Sequence, residues 1–171
     1  MILSHRARGP AIASGPRIGM KDVTIEDGIW LNTSVSTVWG AIHDPAVHAR
    51  WHPFLTRIQG EHRLGAVRTC DVKVGNKEGH TEERCSRYEA EKTIMWTIEK
   101  DSTGFSRMVS GWEAGFTLRT DESKGTVVTA RSVFRPRNIL VRAMTPFIRK
   151  KFHETQRAIL TGLKAHLETA S

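Results

Sequence analysis

Three ionisable side chains, His52, Arg68 and Glu83, are the candidates for acid–base chemistry in this chain of 171 residues. His52 precedes a proline at the end of a short predicted helix, and an imidazole exchanges protons near neutral pH. Arg68 and Glu83 fall on neighbouring predicted strands, and their parity points them inward together with Arg87. Because a buried charge needs a partner, Glu83 either pairs with Arg68 or Arg87, or this charged set anchors an enol, carboxylate or phenol of a ligand.

Other catalytic motifs are missing from the sequence. It contains no Gly-rich phosphate loop, no metal-spaced cluster of His, Cys and carboxylates, and no nucleophile elbow. Any catalysis would therefore rest on positioning and general acid–base work, and we expect neither a cofactor nor a bound metal. For His52 the alternative role is that of a surface or capping residue at a helix end.

A period of two in the predicted strands places aromatic side chains on one face of a sheet. Ile94, Trp96 and Ile98 alternate with more polar neighbours, and residues 108–118 repeat the pattern. The large inward positions of these strands and of the last helix are Trp96, Met108, Trp112, Phe116, Phe147 and Phe152. Trp51, His52 and Phe54 would stand at the mouth of the enclosed space. This lining suits a hydrophobic or aromatic ligand, and the alternative is an ordinary core.

Charge pairing predicts the register of one hairpin. Setting Asp71 opposite Arg84 also sets Cys70 opposite Cys85, with both thiols facing inward. A disulfide or a metal pair is one alternative, but two thiols are too few for a structural zinc site. We expect buried, reduced cysteines that pack as small apolar groups, as in a cytoplasmic protein.

A long C-terminal helix at residues 145–168 organises the predicted fold. Thr145 and Pro146 form a typical helix start, and apolar residues then recur at three- and four-residue spacing opposite a basic side. Upstream, a strand at 23–31 precedes two short helices, the first capped by residues 32–34 and the second at 46–50. Six further strands are predicted at residues 56–61, 66–74, 81–89, 93–100, 105–120 and 126–134.

The net charge of +8 is confined to the two ends of the chain. Residues 22–137 are neutral, which argues against a broad nucleic-acid-binding face. Residues 1–20 are predicted to be a disordered basic tail, or to lie upstream of a true start at Met20, ahead of a single domain at 21–171. The basic back of the last helix is either a solvated face or a weak contact with anionic membrane, without stable insertion.

Four stretches of the chain resemble one known superfamily. They are residues 32–34 leading into Val38-Trp39-Gly40-Ala41-Ile42-His43-Asp44-Pro45, then Trp51-His52-Pro53, then Gly65-Ala66-Val67-Arg68-Thr69-Cys70, and finally 125–128 through Phe134-Arg135-Pro136-Arg137, ending in 163–168. The chain resembles the START/Bet v 1-like superfamily of the helix-grip fold, within it the polyketide cyclase/dehydrase-like (SRPBCC) group.

The resemblance implies an α+β fold, in which a curved antiparallel sheet of about seven strands grips the last helix around a cavity that opens near the short helices. Three functions follow as hypotheses. The favoured one is binding of a small hydrophobic or aromatic molecule, with ligand contacts from the residues named above, namely Trp51, His52, Phe54, Arg68, Cys70, Glu83, Cys85, Trp96, Met108, Trp112, Phe116, Phe147 and Phe152. The alternatives are a polyketide cyclase or dehydratase using His52, Arg68 and Glu83, and lipid transfer with a membrane-touching basic helix.

Overall fold

A computed structural model describes residues 20–122 and 124–169 of the chain. The predicted tail lies outside these residues except for its last position. The elements, in chain order, are β1 (Val23–Leu31), α1 (Val35–His43), α2 (Pro45–Trp51), β2 (Leu55–Gly60), β3 (Val67–Val74), β4 (Lys77–Glu89), β5 (Thr93–Asp101), a 3₁₀ turn (Phe105–Arg107), β6 (Val109–Thr120), β7 (Thr126–Pro136), α3 (Ile139–Ala143) and α4 (Thr145–Thr169).

The strands form one antiparallel sheet in the order β1-β7-β6-β5-β4-β3-β2. Helix α4 packs on this sheet, mainly against β1 and β7, and the two short helices lie between β1 and β2 in the chain. This arrangement confirms the predicted helix-grip fold. In the part of the chain that the structure describes, no helix is long and apolar enough to cross a membrane.

Side-chain caps begin the two short helices where the sequence predicts them. The Ser34 hydroxyl accepts a hydrogen bond from the Thr37 amide at 3.2 Å. Asp44 ends α1 and starts α2, where its carboxylate accepts from the amides of Ala46 and Val47 and Pro45 occupies the first helical position. Because these bonds span only two or three residues, they can be predicted from local sequence.

The apolar face of α4 differs from the prediction at its N-terminal end. Ile148 and Leu163 are buried, as the spacing predicts, but Phe147 is 61% exposed. Leu160, which was not predicted, is buried as well. The buried stripe runs through residues 148, 156, 160, 163 and 167, and Phe147 falls outside it. Phe147 therefore does not face inward. The short helix α3, whose start is capped by Asn138, was not predicted.

The predicted register of the β3–β4 hairpin is wrong by four residues. Val74 pairs with Lys77 across a two-residue turn, in which Gly75 adopts a φ of 62°. Cys70 therefore faces Thr81 rather than Cys85, and Arg68 lies directly opposite Glu83. Since the shift is even, it leaves Arg68, Cys70, Glu83 and Cys85 on the inner face, as predicted. Both thiols are free and buried.

Two β-bulges change which side chains point inward. In β4 the register shifts between Cys85 and Arg87, and Arg87 turns to the outer face, where it approaches Glu113 at 3.7 Å. In β6 the shift between Ser110 and Glu113 includes Gly111 at a φ of 59°. The inward orientations predicted for Arg87 and Met108 are therefore wrong.

The start of β6 also differs from the prediction. Residues 105–107 form a 3₁₀ turn instead of strand, so the strand begins at Val109 rather than at Phe105. Val109 is buried, whereas Met108 is 37% exposed.

Candidate functional site

A cavity of about 410 Å³ lies between α4 and the inner face of the sheet. Its walls come from β2 to β7, the end of α2 and the middle of α4. The exposed lining residues are Val74, Lys77, Thr103 and Thr155. The opening therefore lies between the β3–β4 hairpin and α4, instead of at the short helices as the resemblance implied.

Most of the predicted ligand-binding residues line this cavity. They are His52, Phe54, Arg68, Glu83, Trp96, Trp112, Phe116 and Phe152. Aromatic and aliphatic surface therefore dominates the walls, as the strand parity predicts. That these residues contact a ligand stays a prediction.

The other predicted residues lie elsewhere in the structure. Trp51 is buried in the core, where its indole Nε1 donates to the Ala41 carbonyl at 2.8 Å. Cys70 and Cys85 are buried without lining the cavity, and burial raises the pKa of the Cys70 thiol to about 12. Met108 and Phe147, for the reasons given above, do not line it either.

Arg68 and Glu83 form a buried ion pair in the cavity wall. Two guanidinium nitrogens, Nε and Nη2, donate to Glu83 Oε2 at 2.9 and 2.7 Å, and the Thr81 hydroxyl donates to Oε1 at 2.7 Å. The guanidinium also lies 3.5 Å from the centre of the Trp96 ring, a cation–π distance. Both charges are thus satisfied within the protein, which supports the ion-pair interpretation over a free ligand anchor.

His62 completes this network and was missed by the sequence analysis. Nη1 of Arg68 donates to His62 Nε2 at 2.9 Å, so the proton of the neutral ring sits on Nδ1. Burial, followed by the charge of Arg68, lowers the pKa of His62 to about 3. His62 lies in the loop between β2 and β3, where no periodicity marks an inward position.

His52 lines the cavity as a neutral group. Its Nδ1 accepts hydrogen bonds from the backbone amides of Phe54 and Leu55 at 3.3 and 3.1 Å. Burial, followed by the charge of Arg68, lowers the pKa of His52 to about 3. A histidine that is neutral at pH 7 and whose acceptor nitrogen is occupied is poorly suited to acid–base catalysis. Its contacts match the capping alternative.

His48 is a further cavity residue that was not predicted. Its ring stacks on Trp51 with 4.7 Å between ring centres and an interplanar angle of 5°. Nδ1 donates to the Ile42 carbonyl at 3.0 Å, and burial lowers the pKa of His48 well below its ordinary value. The available signal was spacing, because position 48 shares a helix face with positions 51 and 52.

Buried polar atoms without a hydrogen-bond partner among the described residues occur in several cavity-lining side chains. They are His48 Nε2, Trp96 Nε1, Trp112 Nε1, Arg131 Nε and Gln156 Oε1. Native proteins leave few such atoms, so each calls for an explanation. These polar atoms are themselves buried, so the accessible lining of the cavity is mainly apolar.

Several solved structures share this fold at low sequence identity. The major latex-like protein 151 from Panax ginseng has a TM-score of 0.68 at 10% identity, covering 85% of this chain and 97% of its own. A START superfamily protein from Mycobacterium smegmatis has a TM-score of 0.69 at 12% identity, covering 86% and 99%. The Zhui aromatase/cyclase from Streptomyces sp. R1128 has a TM-score of 0.67 at 14% identity, covering 86% and 94%.

At these sequence identities the similarity establishes the shared fold alone, and the activities of the neighbours are not assigned to this chain. No curated protein sequence matches the chain significantly. The sequence profile described as "Polyketide cyclase / dehydrase and lipid transport" matches residues 22–168, which is nearly the whole described structure. The chain therefore belongs to the polyketide cyclase / dehydrase and lipid transport family.

Proposed function

We propose that the protein binds a small, largely apolar molecule in the cavity between α4 and the sheet, without transforming it. The observation that carries this proposal is a mainly apolar cavity of about 410 Å³ in which the two buried charged residues, Arg68 and Glu83, are paired with each other. Ligand sites of this kind range over roughly 300–1,000 Å³ and combine apolar walls with few polar groups. A location in the cytoplasm remains a prediction from the cysteine content.

The alternative is a cyclase or dehydratase, which the family description and the aromatase/cyclase neighbour favour. That mechanism needs a base or acid that changes its protonation near neutral pH. The lowered pKa of His52 keeps its ring neutral, and its Nδ1 accepts a backbone hydrogen bond. Arg68 and Glu83 are hydrogen-bonded to each other. The three predicted catalytic candidates therefore support binding better than turnover.

Filling the cavity tests the proposal. Ala114 lies on β6 and lines the cavity, so Ala114→Phe would place a ring in the ligand volume. Thr120→Phe, at an exposed position of the same strand, is the matched control. We expect the neutral fluorescent probe N-phenyl-1-naphthylamine to bind the parent protein and Thr120→Phe equally, and Ala114→Phe at least about tenfold more weakly. Equal binding by all three proteins would refute the proposal.

Mass spectrometry of the natively purified protein, followed by solvent extraction, would identify a co-purified ligand. A stoichiometric apolar molecule would support carriage. Conversion of an added molecule to a new product at the rate of an enzyme would refute the non-catalytic form of the proposal.

Contact with anionic membrane is a second candidate function, and an exposed apolar patch favours it. Ile139, Leu140, Met144 and Phe147 are 75%, 69%, 42% and 61% exposed around α3 and the start of α4. Residues 123–153 contain no Asp or Glu, and Arg142 lies within the patch. Apolar side chains beside basic ones are typical of surfaces that rest on anionic lipid.

The patch differs from the membrane surface expected from sequence, the basic back of the last helix. On that back, His153 and Arg157 both bind the Asp27 carboxylate, at 2.6 and 3.2 Å. Sedimentation with phosphatidylserine-containing vesicles tests the new location. We expect Leu140→Ser to weaken binding and Leu64→Ser to leave it unchanged, since Leu64 is 60% exposed but lies outside the patch. Equal effects of both variants would contradict it.

A further inference from the structure

A second pocket, of about 380 Å³, lies where the residues that lead into β1 meet the end of β7, α3 and the start of α4. It shares no lining residue with the apolar cavity. The charged residues of its lining are Lys21, Asp22, Arg142 and Arg149. All four are exposed, so a dissolved ligand can reach their side chains.

The three basic side chains of this pocket keep most of their hydrogen-bond donors for a ligand. Among the described residues, the side chains of Lys21 and Arg142 have no hydrogen bond or ion pair. Arg149 donates from Nη1 to the Thr24 carbonyl at 3.0 Å, and its other guanidinium nitrogens have no described partner. That bond holds the guanidinium of Arg149 beside β1.

The carboxylates near the pocket are already paired. Asp22, the one described carboxylate of the lining, accepts a hydrogen bond from Arg135 Nε at 2.8 Å. The two acidic residues of β1, Glu26 and Asp27, also have basic partners. The charges of the three basic side chains therefore lack a compensating charge in this part of the described structure.

The neighbouring stretches of sequence cannot supply that charge. Residues 1–20, which precede Lys21 in the chain, contain three arginines and no Asp or Glu. Residues 123–153, which include Arg142 and Arg149, contain no Asp or Glu either. Because like charges repel one another, such a cluster favours an anion from outside the chain.

Side chains, rather than the end of α4, would hold this anion. Pro146 has no amide hydrogen, and the amides of Phe147 and Ile148 both donate to the Met144 carbonyl at 3.1 Å. These amides are therefore occupied within the helix. An arginine can instead donate two parallel hydrogen bonds to the oxygens of one phosphate, and a lysine adds a compact positive charge.

The number of cations favours a phosphate monoester over other anions. Such a group carries a charge of about −1.5 to −2 at pH 7 and three acceptor oxygens, which suits three basic side chains around one pocket. A phosphodiester carries a single negative charge, and a nucleic acid presents its diesters in long rows. Residues 22–137 are neutral overall and offer no basic surface to continue such a row.

We infer that this pocket binds a phosphate monoester through Arg142, Arg149 and Lys21. The inference goes beyond the binding of an apolar molecule and does not rest on it. A lipid headgroup such as that of phosphatidic acid and a soluble phosphate ester share this chemistry, and vesicles distinguish the two sources below. The competing explanation is a basic surface that attracts every anion by charge alone.

Two soluble probes separate the inference from general attraction. Glycerol 3-phosphate is a monoester, whereas dimethyl phosphate is a diester with a single negative charge. By NMR titration at pH 7 we expect glycerol 3-phosphate to shift the backbone amides of the pocket saturably and to bind at least about tenfold more tightly than dimethyl phosphate. Equal affinities, unsaturable shifts, or shifts spread over every basic surface would overturn the inference.

Substitution of Arg142 tests the assignment to this pocket. The Arg142 side chain has no described contact to lose, so Arg142→Gln should fold like the parent. Arg119→Gln is the matched control, because Arg119 is an exposed arginine of β6 outside the pocket, also without a described partner. We expect Arg142→Gln to weaken the binding of glycerol 3-phosphate about tenfold and Arg119→Gln to leave it unchanged. Equal affinities of the two variants would overturn the assignment.

A variant that should bind more tightly provides an independent check. Asp22→Asn removes the carboxylate of the lining and leaves Arg135 unpaired, so glycerol 3-phosphate should bind more tightly. Glu61→Gln changes the net charge equally but removes the partner of Arg63, outside the pocket. We expect it to leave the affinity unchanged. The same gain in both variants would show attraction by net charge and would contradict the inference.

Vesicle sedimentation distinguishes the two sources of the phosphate. Phosphatidylcholine vesicles containing phosphatidic acid are compared with vesicles of the same surface potential containing phosphatidylserine. Stronger sedimentation with phosphatidic acid, abolished by glycerol 3-phosphate and by Arg142→Gln, would support a lipid headgroup. Equal sedimentation with both vesicles, together with saturable binding of glycerol 3-phosphate, would support a soluble phosphate ester. Equal sedimentation without binding of glycerol 3-phosphate would refute the pocket as a phosphate site.

Discussion

Replacing Arg68 by methionine should destabilise the protein far more than an ordinary arginine substitution. Arg68 is 4% exposed and Glu83 is 7% exposed, and two hydrogen bonds of 2.9 and 2.7 Å join them. Arg68→Met leaves the Glu83 carboxylate buried with the Thr81 hydroxyl as its remaining described partner. Removing one member of a buried pair costs about 3–5 kcal/mol, a large share of a typical domain stability of roughly 5–15 kcal/mol.

An exposed pair between the neighbouring strands β4 and β5 provides the control. Arg84 binds Glu99 through two nitrogens at 2.6 and 3.1 Å, but its side chain is 48% exposed. Water can solvate Glu99 once its partner is removed, so Arg84→Met should cost less than about 1 kcal/mol. The two substitutions are chemically identical and differ mainly in the burial of the carboxylate that is left behind.

The assay is urea denaturation at pH 7, followed by circular dichroism. It compares the parent, the single variants Arg68→Met, Glu83→Met and Arg84→Met, and the double variant Arg68→Met/Glu83→Met. The double variant should be more stable than Arg68→Met, because it no longer buries an unpaired charge. It should remain below the parent, since Thr81 and His62 each lose a partner. Equal losses for Arg68→Met and Arg84→Met, or a double variant as unstable as the sum of its single variants, would refute this reasoning.

Three further predictions concern protonation, thiol reactivity and packing. Burial and the charge of Arg68 lower the pKa of both His52 and His62 from 6.5 to about 3. The contribution of these neutral rings to the free energy of unfolding is therefore complete above pH 6.5 and is lost as the pH falls towards 3, by up to about 1.4 kcal/mol per pH unit for each ring. Equal urea midpoints at pH 7 and pH 5 would contradict this prediction. Cys70, whose pKa burial raises to about 12, should resist iodoacetamide at pH 7.5 and react only in urea, as measured by mass spectrometry; labelling of the folded protein would count against it. Gly162→Ala should destabilise the protein, because the added Cβ would lie 2.6 Å from the backbone carbonyl oxygen of Trp51, at the end of α2. Gly40→Ala in α1 should instead stabilise the protein by about 0.5–1 kcal/mol, because open space surrounds its Cβ position. A lower melting temperature for Gly40→Ala than for Gly162→Ala would be inconsistent with this packing.

Local interactions were the part of the fold that the sequence could predict. The bounds of β1 and the starts of α1 and α2 follow from strand alternation and from caps that reach two or three residues. The inward positions of Trp96 and Phe116 follow from the period of two along their strands. Each of these features depends on side chains within a few residues of one another, so it can be predicted from the local sequence.

The hairpin register and the bulges depended on tertiary structure. Charge pairing alone favoured Asp71 opposite Arg84, but a two-residue turn at Gly75 places His80 there instead. The bulge after Cys85 turns Arg87 outward, although its position parity matches that of Glu83. A bulge adds one residue to one strand according to what its neighbours across the sheet require, and strand periodicity contains no mark of it.

The sequence by itself determined that an aromatic inner surface faces a long helix, and that Arg68 and Glu83 share that surface. Only the tertiary structure decided that these two charges satisfy each other, and that His48, His62 and Gln156 join the same interior from a short helix, a loop and α4. The physical reason is that the protonation and hydrogen bonding of a buried group depend on neighbours that the fold brings together from distant positions. The arrangement of polar atoms in the cavity is therefore a property of the folded chain.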